Sequence, residues 1–195
     1  PVGSPEYFDY KNQNRTLESV AAVSTEPITV TEGVGEPEVI RAGWVSPSMF
    51  TVLRTPPLLG RTLVEEDGGP QPAQVVVLSY DFWQRRFGGD STVVGRRMGL
   101  GMEVSEEPIR AEIVGVMPPG FGYPDGDIQL WGPLALDPAR TWRGGHWFDM
   151  LGRLAGGVTL EQARSEMASI MEQWAVTYPD HHVGHGPQMR PLLEE

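Results

Sequence analysis

The fold is decided by residues 75–89, which read Val75-Val76-Val77-Leu78-Ser79-Tyr80-Asp81-Phe82-Trp83-Gln84-Arg85-Arg86-Phe87-Gly88-Gly89. Four consecutive apolar residues are typical of a buried β-strand, and the aromatic residues that follow at helical spacing indicate a short amphipathic helix. The hydroxyl of Ser79 can accept a hydrogen bond from the first free helical N–H groups, and Gly88 supplies a stop. The sequence therefore predicts a strand that passes into a helix at one residue.

Further helices are predicted on both sides of this unit from their capping residues. Ser4-Pro5-Glu6 predicts a short helix that ends near residue 14, and Ser46-Pro47 predicts a second one. Thr159 and Gln162 form a capping box before apolar residues at spacings of three and four, and Pro179 closes that pattern. The helix that starts after Thr159 and ends before Pro179 is the longest that the sequence predicts.

Strands are predicted from runs of β-branched and apolar residues. Residues 19–24, 28–31 and 38–45 predict a small antiparallel meander, with a break at Pro27. After the central unit, strands are predicted at 97–100, 109–117, 128–131 and 147–154, and residues 189–193 are a candidate last strand. Strands and helices in this order predict an α+β fold.

Composition excludes several classes of function. The net charge of −11 and the single lysine, Lys11, argue against a nucleic-acid partner, because binding to phosphates requires a clustered basic face. No apolar run approaches the ~20 residues that cross a bilayer. The absence of cysteine excludes disulfides, thiolate metal sites and cysteine nucleophiles. The chain starts at Pro1 without a leader, so we expect it to be a piece of a longer polypeptide.

Two patterns are candidates for metal binding or nucleophilic catalysis. His181, His182 and His185, with Asp180, form the densest group of potential metal ligands, but Pro179 and Gly184 disfavour the helix that would orient them, so a solvated loop is expected. Ser79 occupies the strand-to-helix position of a hydrolase nucleophile, but its large neighbours do not suit that turn. Ser79 is therefore predicted to be a helix cap.

The remaining candidates are carboxylates, glycines and tryptophans. Glu65, Glu66 and Asp67 are candidate acid–base groups, although three adjacent charges in a Gly/Pro-rich loop are expected to face water. The glycine runs 33–35 and 99–101 lack phosphate-loop spacing and are predicted to be turns. Trp142 and Trp147 are candidates for a ligand surface, with buried packing as the expected alternative. No constellation supports an enzyme, and no cofactor is expected.

The order of several short motifs resembles the extracytoplasmic core domain of FtsX/MacB-type ABC transporter permeases. The similarity covers nearly the whole chain and is greatest to permeases of unassigned substrate that carry two such halves in one chain. The motifs that carry it are Ser4-Pro5-Glu6-Tyr7-Phe8-Asp9-Tyr10, Ser46-Pro47-Ser48-Met49-Phe50, Pro57-Leu58-Leu59-Gly60-Arg61, the central strand–helix unit with Asp90, Val114-Gly115-Val116-Met117-Pro118-Pro119-Gly120-Phe121, and Leu151-Gly152-Arg153-Leu154 with Gly157-Val158-Thr159-Leu160-Glu161-Gln162-Ala163.

The resemblance implies a two-lobed domain between two transmembrane helices, on the outer face of the inner membrane. A porter-like βαβ lobe would comprise residues 1–53 and 147–195, and an inserted β-rich lobe would comprise residues 54–146. The residues carried over from the family are structural: glycines at turns and aromatic residues in the core. They are Gly60, Gly88, Gly115 and Gly120 for the turns, and Phe50, Trp83 and Phe87 for the core.

The implied function is mechanotransmission: ATP hydrolysis in the cytoplasm drives movements that act on a periplasmic substrate or partner, as in efflux. The implied partners are the chain's own transmembrane helices with the FtsX-like permease region, a cytoplasmic ABC ATPase, and a periplasmic adaptor or outer-membrane factor. The full permease is expected to be dimeric or pseudo-dimeric, and the isolated domain monomeric. The alternative is a stand-alone periplasmic ligand-binding module.

Overall fold

The structure, a computed structural model, describes residues 2–31, 36–101, 109–143, 145, 147–179 and 188–192. Its helices are α1 (Ser4–Gln13), α2 (Ser48–Leu53), α3 (Tyr80–Phe87) and α4 (Leu160–Thr177). Its strands are β1 (Leu17–Val30), β2 (Glu38–Val45), β3 (Leu59–Gly60), β4 (Val75–Leu78), β5 (Arg97–Gly101), β6 (Ile109–Val116), β7 (Ile128–Pro133) and β8 (Asp149–Leu154). The predicted α+β class is confirmed.

Six of the strands pair in a closed ring. β1 is antiparallel to β2, β2 is parallel to β7, and β7 is antiparallel to β4. The ring continues from β4 to β6 in parallel and from β6 to β5 in antiparallel pairing. It closes where Thr29 and Val30 of β1 face Gly101 and Leu100 of β5. β3 and β8 lie outside the ring, paired with β6 and with the first half of β1.

Side chains from one face of every ring strand fill the interior. Because successive residues of a strand point to opposite faces, alternate residues such as Val76 and Leu78 share that face. A ring of this size leaves room only for side chains. The buried members of this cluster, which α3 completes with Phe82 and Trp83, are Ile28, Val30, Ile40, Ala42, Val76, Leu78, Phe82, Trp83, Val93, Met98, Leu100, Ala111, Ile113, Val116 and Leu130.

The outer faces of the ring and of β8 are covered by the other helices. α2 packs Met49 and Phe50 against Trp131 on one side. On the other side, α1 and α4 cover β1 and β8, with Tyr10 and Trp174 in one apolar cluster. Strands from both predicted lobes therefore join one sheet, and the lobe boundaries stay a prediction.

The central unit forms as the sequence predicts. β4 ends at Leu78, Ser79 Oγ accepts a hydrogen bond from the N–H of Phe82 at 3.2 Å, and α3 begins at Tyr80. The helix ends at Gly88, whose φ of 62° lies in the left-handed region that glycine favours. The capping box of Thr159 and Gln162 is likewise confirmed at the start of α4.

The predicted break at Pro27 is wrong, because β1 runs through it. The edge of β1 away from β2 is paired with β8 up to Val23 and with β5 from Thr29, and within the described residues no strand pairs with that edge between them. Proline lacks an N–H and is tolerated where one edge of a strand has no partner. Residues 189–192, the described part of the candidate last strand, are not in a strand.

Candidate functional site

The helices α1 and α4 lie side by side and antiparallel, with contacts along the length of the pair. Near the start of α1, Glu6 and Asp9 contact Arg143. Arg143 also contacts the rings of Trp174 and Tyr178 at the end of α4. Beyond the end of α1, the backbone N–H groups of residues 15 and 16 reach Glu166 in the first half of α4. The first turn of α1 and the last turn of α4 therefore lie together.

The shared partner is Arg143, which stands on the connection between β7 and β8. Its guanidinium donates to Asp9 Oδ2 at 2.7 Å and lies 3.4 Å from Glu6 Oε1. It also stacks on the ring of Tyr178, at 4.0 Å from the centroid, and lies 5.8 Å from that of Trp174. We call Glu6, Asp9, Arg143, Trp174 and Tyr178 the Arg143 cluster. It joins three separate segments of the chain.

Burial makes the contacts of the Arg143 cluster energetically important. Arg143 is 8% exposed and Glu6 is 1% exposed, and Glu6 also accepts a hydrogen bond from the backbone N–H of Gly3 at 3.2 Å. A buried charge is costly unless it is paired, so removing one partner destabilises the contact strongly. The start of α1 therefore depends on a cation that another segment supplies.

A second contact holds the other end of the helix pair. Glu166 of α4 accepts hydrogen bonds from the N–H groups of Arg15 and Thr16, at 2.9 and 3.0 Å, and from the hydroxyl of Thr16. Burial alone would raise the pKa of Glu166, but these hydrogen bonds outweigh it and hold the pKa below its ordinary value. Glu166 is therefore ionised in the folded protein, and its carboxylate holds the turn from α1 into β1.

Between these two contacts, Tyr10 of α1 packs edge-on against Trp174 of α4, with ring centroids 4.7 Å apart. Burial raises the pKa of the Tyr10 phenol, and the neighbouring charge of Glu6 raises it further. Tyr10 therefore stays neutral in the folded protein at pH values where an exposed tyrosine ionises.

Two of the glycines that the resemblance marks as structural face each other where β3 meets β6. Gly60 has a φ of +65° and pairs with Gly115. A Cβ on Gly115 would lie 2.1 Å from the carbonyl oxygen of Arg61, so only glycine fits there. Gly115 was expected at a turn, but it lies inside β6, where the close approach of two backbones requires it.

The other residues carried over from the family lie in the core, at turns or on the helix α3. Phe50 and Trp83 are buried, and Phe87 is partly buried against the ring interior. Gly88 ends α3, and Gly120 has a φ of +80° in the turn after β6. None of them contacts the Arg143 cluster through a described hydrogen bond or ring contact.

A shallow cavity of about 260 Å³ lies at the start of α3. Ser79, Tyr80 and Arg85 line it from the central unit, and Phe121 and Gln129 line the opposite side. Arg85 is already engaged, since it donates to Gln129 and, at 2.8 Å, to Glu38. Ser79 lines the cavity as the cap of α3, which is the role that the sequence predicts for it.

The acidic candidates divide into two kinds. Glu65 and Glu66 are exposed as expected, but Asp67 is buried, at 5% exposure. Asp67 accepts hydrogen bonds from the guanidinium of Arg61 and from the N–H of Val64, at 2.9 Å for the latter. The hydrogen bond to Asp67 raises the pKa of Arg61. The expectation that all three charges face water is therefore wrong, because Asp67 pairs with Arg61.

The remaining candidates do not come together. Trp142 and Trp147 are 58% and 43% exposed, so the packing expected of them is wrong. Gly99 and Gly101 lie within β5 rather than in a turn. The glycine run 33–35 and the histidines 181, 182 and 185 lie outside the described residues, and within the described part no group of three His, Asp or Glu residues could hold a metal.

Sequence reasoning missed the Arg143 cluster entirely. Arg143 is 134 residues from Asp9 and 137 from Glu6, and it stands in a segment without periodicity. The flanking tryptophan, Trp142, was noted for itself and not for the charge beside it. The segment also contains Asp137 and Arg140, so its charge does not single out Arg143 either.

Within the described ranges, none of the helices has the length and apolar character needed to cross a membrane. The family model for the MacB-like periplasmic core domain matches residues 3–170. No curated protein sequence matches significantly.

Three solved structures share the fold. The periplasmic region of MacB from Actinobacillus actinomycetemcomitans is 16% identical, with a TM-score of 0.61 over 87% of this chain and 72% of that one. A domain of a putative permease protein from Porphyromonas gingivalis is 15% identical, with a TM-score of 0.64 over 93% and 75%. The extracellular domain of the ABC-type transporter YknZ from Gram-positive bacteria is 14% identical, with a TM-score of 0.63 over 91% and 85%.

Proposed function

The chain belongs to the family of MacB-like periplasmic core domains, and from this premise we propose that it transmits movement within an ABC transporter permease. In this proposal, ATP hydrolysis by a cytoplasmic partner moves the domain on the outer face of the inner membrane. The domain then acts on a substrate, a periplasmic adaptor or an outer-membrane factor. The chain itself is not an enzyme and holds no cofactor.

The observation that carries the proposal is the arrangement of the helix pair on the closed ring. The first turn of α1 and the last turn of α4 lie at one end, held together by Arg143. Transmembrane helices joined to these two turns would both act on the same end. A close-packed interior resists deformation, so movement applied there would displace the ring as a body.

The test is a distance measurement in the full permease with its ATPase. This chain has no cysteine, so once any cysteines elsewhere in the permease and its ATPase are replaced, spin labels can be placed at Val94→Cys near the ring and Glu172→Cys on α4, both at exposed positions. We expect the distance between these labels to be the same with ATP and with ADP. The distance from Val94→Cys to labelled lipid head groups should differ between the two nucleotides.

Two results would contradict the proposal. If the distance from Val94→Cys to labelled lipid head groups is the same with ATP and with ADP, the domain does not transmit movement. If the distance between the two labels changes as much as the distance to the lipid head groups, the domain deforms and does not move as a rigid body. A catalytically inactive ATPase with ATP bound serves as the control for turnover.

A stand-alone ligand-binding module is the second candidate, favoured by the exposed pair Trp142 and Trp147. Each of these indoles would touch a Cβ placed on Gly145, so they flank the same backbone position. The cavity at α3 is a weaker argument, since it is smaller than the roughly 300–1,000 Å³ of typical ligand sites.

A thermal-shift screen of small molecules separates the two candidates. Binding to the folded state raises the melting temperature by mass action. A saturable shift that Trp142→Ala or Trp147→Ala abolishes would favour the binding module. A shift that survives both substitutions, or no shift at all, would count against it.

A further inference from the structure

The outer edge of β8 ends the sheet. β8 pairs with β1 on one side, and among the described residues its other side has a backbone partner only at Phe148, which bonds to Val2. Because the backbone groups of a strand point alternately to its two sides, those of Met150 and Gly152 point to the same side as those of Phe148. No described strand pairs with them there, and Gly152 is exposed. This edge therefore offers N–H and C=O groups to a further strand.

Residues 188–192, which we call the return segment, lie beside this edge with consecutive side chains on opposite faces of the sheet. Met189 is half-buried and packs with Met150 in the cluster between β8 and α4. Tyr123 packs in the cluster on the opposite face. Burial raises the pKa of Tyr123, and the nearby charge of Arg190 opposes that rise, so Arg190 lies on this second face. Such alternation is typical of a β-strand.

These contacts are consistent with one register between the return segment and β8. If Met189 stands opposite Met150, then Arg190 stands opposite Leu151, which packs on the face where Arg190 lies. Directly opposed residues share a face, so both pairs agree with the observed packing. The last turns of α4 pack beside Val2, which pairs just before β8 begins, so a strand that follows α4 runs parallel to β8.

In this register the backbone of Arg190 bridges two residues of β8. Its N–H would donate to the carbonyl of Met150, and its carbonyl would accept from the N–H of Gly152. The next residue, Pro191, would turn its backbone away from β8. Proline has no N–H to leave unpaired there, so it suits the outer side of an edge strand.

We propose that the return segment closes the outer edge of β8 as a further, parallel strand in which Arg190 bridges Met150 and Gly152. In the structure the segment is packed against the edge but is not in a strand, and Arg164 of α4 donates to the carbonyl of Met189 at 2.7 Å. Closure therefore adds backbone pairing to side-chain contacts that already exist. Pairing within this chain does not require the proposed function, so failure of either is seen separately.

Amide hydrogen exchange of this chain, resolved by NMR, tests the backbone pairing. Arg190→Pro removes the N–H that would donate to Met150, so we expect the amides of Met150 and Gly152 to exchange about tenfold faster, which corresponds to one lost hydrogen bond. The amide of Leu151, which points to β1, should keep its rate. Arg190→Ala retains the backbone N–H and is the matched control, with rates within about threefold of the wild type.

A disulfide tests the register without removing a hydrogen-bond donor. Asp149 and Gln188 would stand opposite each other, and both are exposed, so Asp149→Cys with Gln188→Cys should form a disulfide under mild oxidation. Asp149→Cys with Leu192→Cys joins positions at opposite ends of the paired segment and should stay reduced, because a disulfide requires Cα atoms within about 7 Å. The chain has no other cysteine to compete.

Protection of Met150 and Gly152 that Arg190→Pro alone removes, together with a disulfide in the first cysteine pair only, would support the proposal. Exchange of both amides at the rate of an unstructured peptide in the wild type would overturn it. Equal acceleration in Arg190→Ala, or at Leu151, would also count against it, because the protection would then not come from the backbone of Arg190. Equal cross-linking of both cysteine pairs would show that the segment has no fixed register.

Discussion

The interior of the ring and the helix pair are held together by different physics. The buried members of the ring interior are all apolar and come from the six strands, from α3 and, through Val93, from the turn after α3. The helix pair has a smaller apolar cluster and depends in addition on Arg143, on the carboxylate of Glu166 and on the neutral phenol of Tyr10. Burial of apolar surface is non-directional and independent of protonation, whereas hydrogen bonds and ion pairs need one geometry and one charge state.

The difference indicates which part of the domain can be adjusted without loss of the fold. Changes of pH or of charged groups should act mainly on the helix pair, and changes of volume should act mainly on the ring. A domain that transmits movement benefits from this division, because its rigid part and its attachment can vary separately. The following predictions, from the largest expected effect to the smallest, test it.

The largest effect is expected for Gly115→Ala, at the edge of the ring. The new Cβ would lie 2.1 Å from the carbonyl oxygen of Arg61 and 2.9 Å from that of Leu59, both backbone atoms that cannot move away alone. We expect a loss of about 3 kcal/mol in the free energy of unfolding, measured with urea.

Gly156→Ala is the matched control, since a Cβ there meets no atom within 4 Å. It should change the free energy of unfolding by less than about 0.5 kcal/mol. Equal losses of unfolding free energy in the two variants would show that the close approach of β3 to β6 does not require glycine at position 115.

At alkaline pH, Tyr10→Phe should make the protein less sensitive than the wild type. The pKa of Tyr10 is raised in the folded state, so its contribution is complete below the ordinary value of 10.0 and is lost as the pH rises above it. The wild type should lose up to about 1.4 kcal/mol per pH unit above pH 10 through this group.

Urea titrations at pH 9, 10 and 11 measure this slope for both proteins. Burial also raises the pKa of Tyr123, which packs outside the ring, so Tyr123→Phe should remove a separate part of the alkaline loss. If Tyr10→Phe loses unfolding free energy above pH 10 as steeply as the wild type, the neutral phenol of Tyr10 does not contribute to the stability of the helix pair.

Loss of the cap on α3 should cost about 1 kcal/mol of unfolding free energy in Ser79→Ala. The hydroxyl of Ser79 satisfies the N–H of Phe82, a residue that fills the ring interior. Because α3 belongs to the ring, circular dichroism and tryptophan fluorescence should report the same shifted transition. Ser91→Ala, at an exposed position, is the control. Separate unfolding transitions in circular dichroism and in fluorescence would show that α3 unfolds independently of the ring.

The smallest effect is expected for Glu166→Gln at neutral pH, about 1 kcal/mol or less of unfolding free energy. The pKa of Glu166 is lowered in the folded state, so its contribution is present above the ordinary value of 4.5 and is lost as the pH falls below it. The variant should therefore approach the stability of the wild type as the pH falls through this range.

Glu172→Gln removes one exposed carboxylate from the same helix and controls for the change in net charge. Denaturant melts at pH 3, 4, 5 and 7 provide the comparison. A difference between Glu166→Gln and the wild type that is the same at every pH would show that the hydrogen bonds to Arg15 and Thr16 do not favour the carboxylate.

Local signals in the sequence predict the parts of the fold that local physics controls. Ser79, Gly88 and the capping box at Thr159 act on residues within a few positions of themselves, so their spacing is sufficient. Pro27 misleads for the same reason: its effect depends on the unpaired edge of β1, which is set by the positions of β5 and β8.

Long-range pairing is what the sequence does not reveal. The ring closes through parallel pairs between β2 and β7 and between β4 and β6, none of which follows from a short repeat. Arg143 is buried against Glu6, Asp9 and Tyr178, all of which are distant from it in the sequence. The order of weak motifs predicts the family and thereby the α+β class, but not the side chains that join the helix pair.

The closing pair of the ring has a consequence for the folding pathway. Among the described residues, β1 and β5 face each other through two residues of each strand, Thr29 with Gly101 and Val30 with Leu100. Some seventy residues separate the two sides, so this contact carries a large loop entropy and a small enthalpic return. We expect this seam to form last during folding and to be the first to exchange its amide hydrogens with solvent, well before the pairs between β1 and β2.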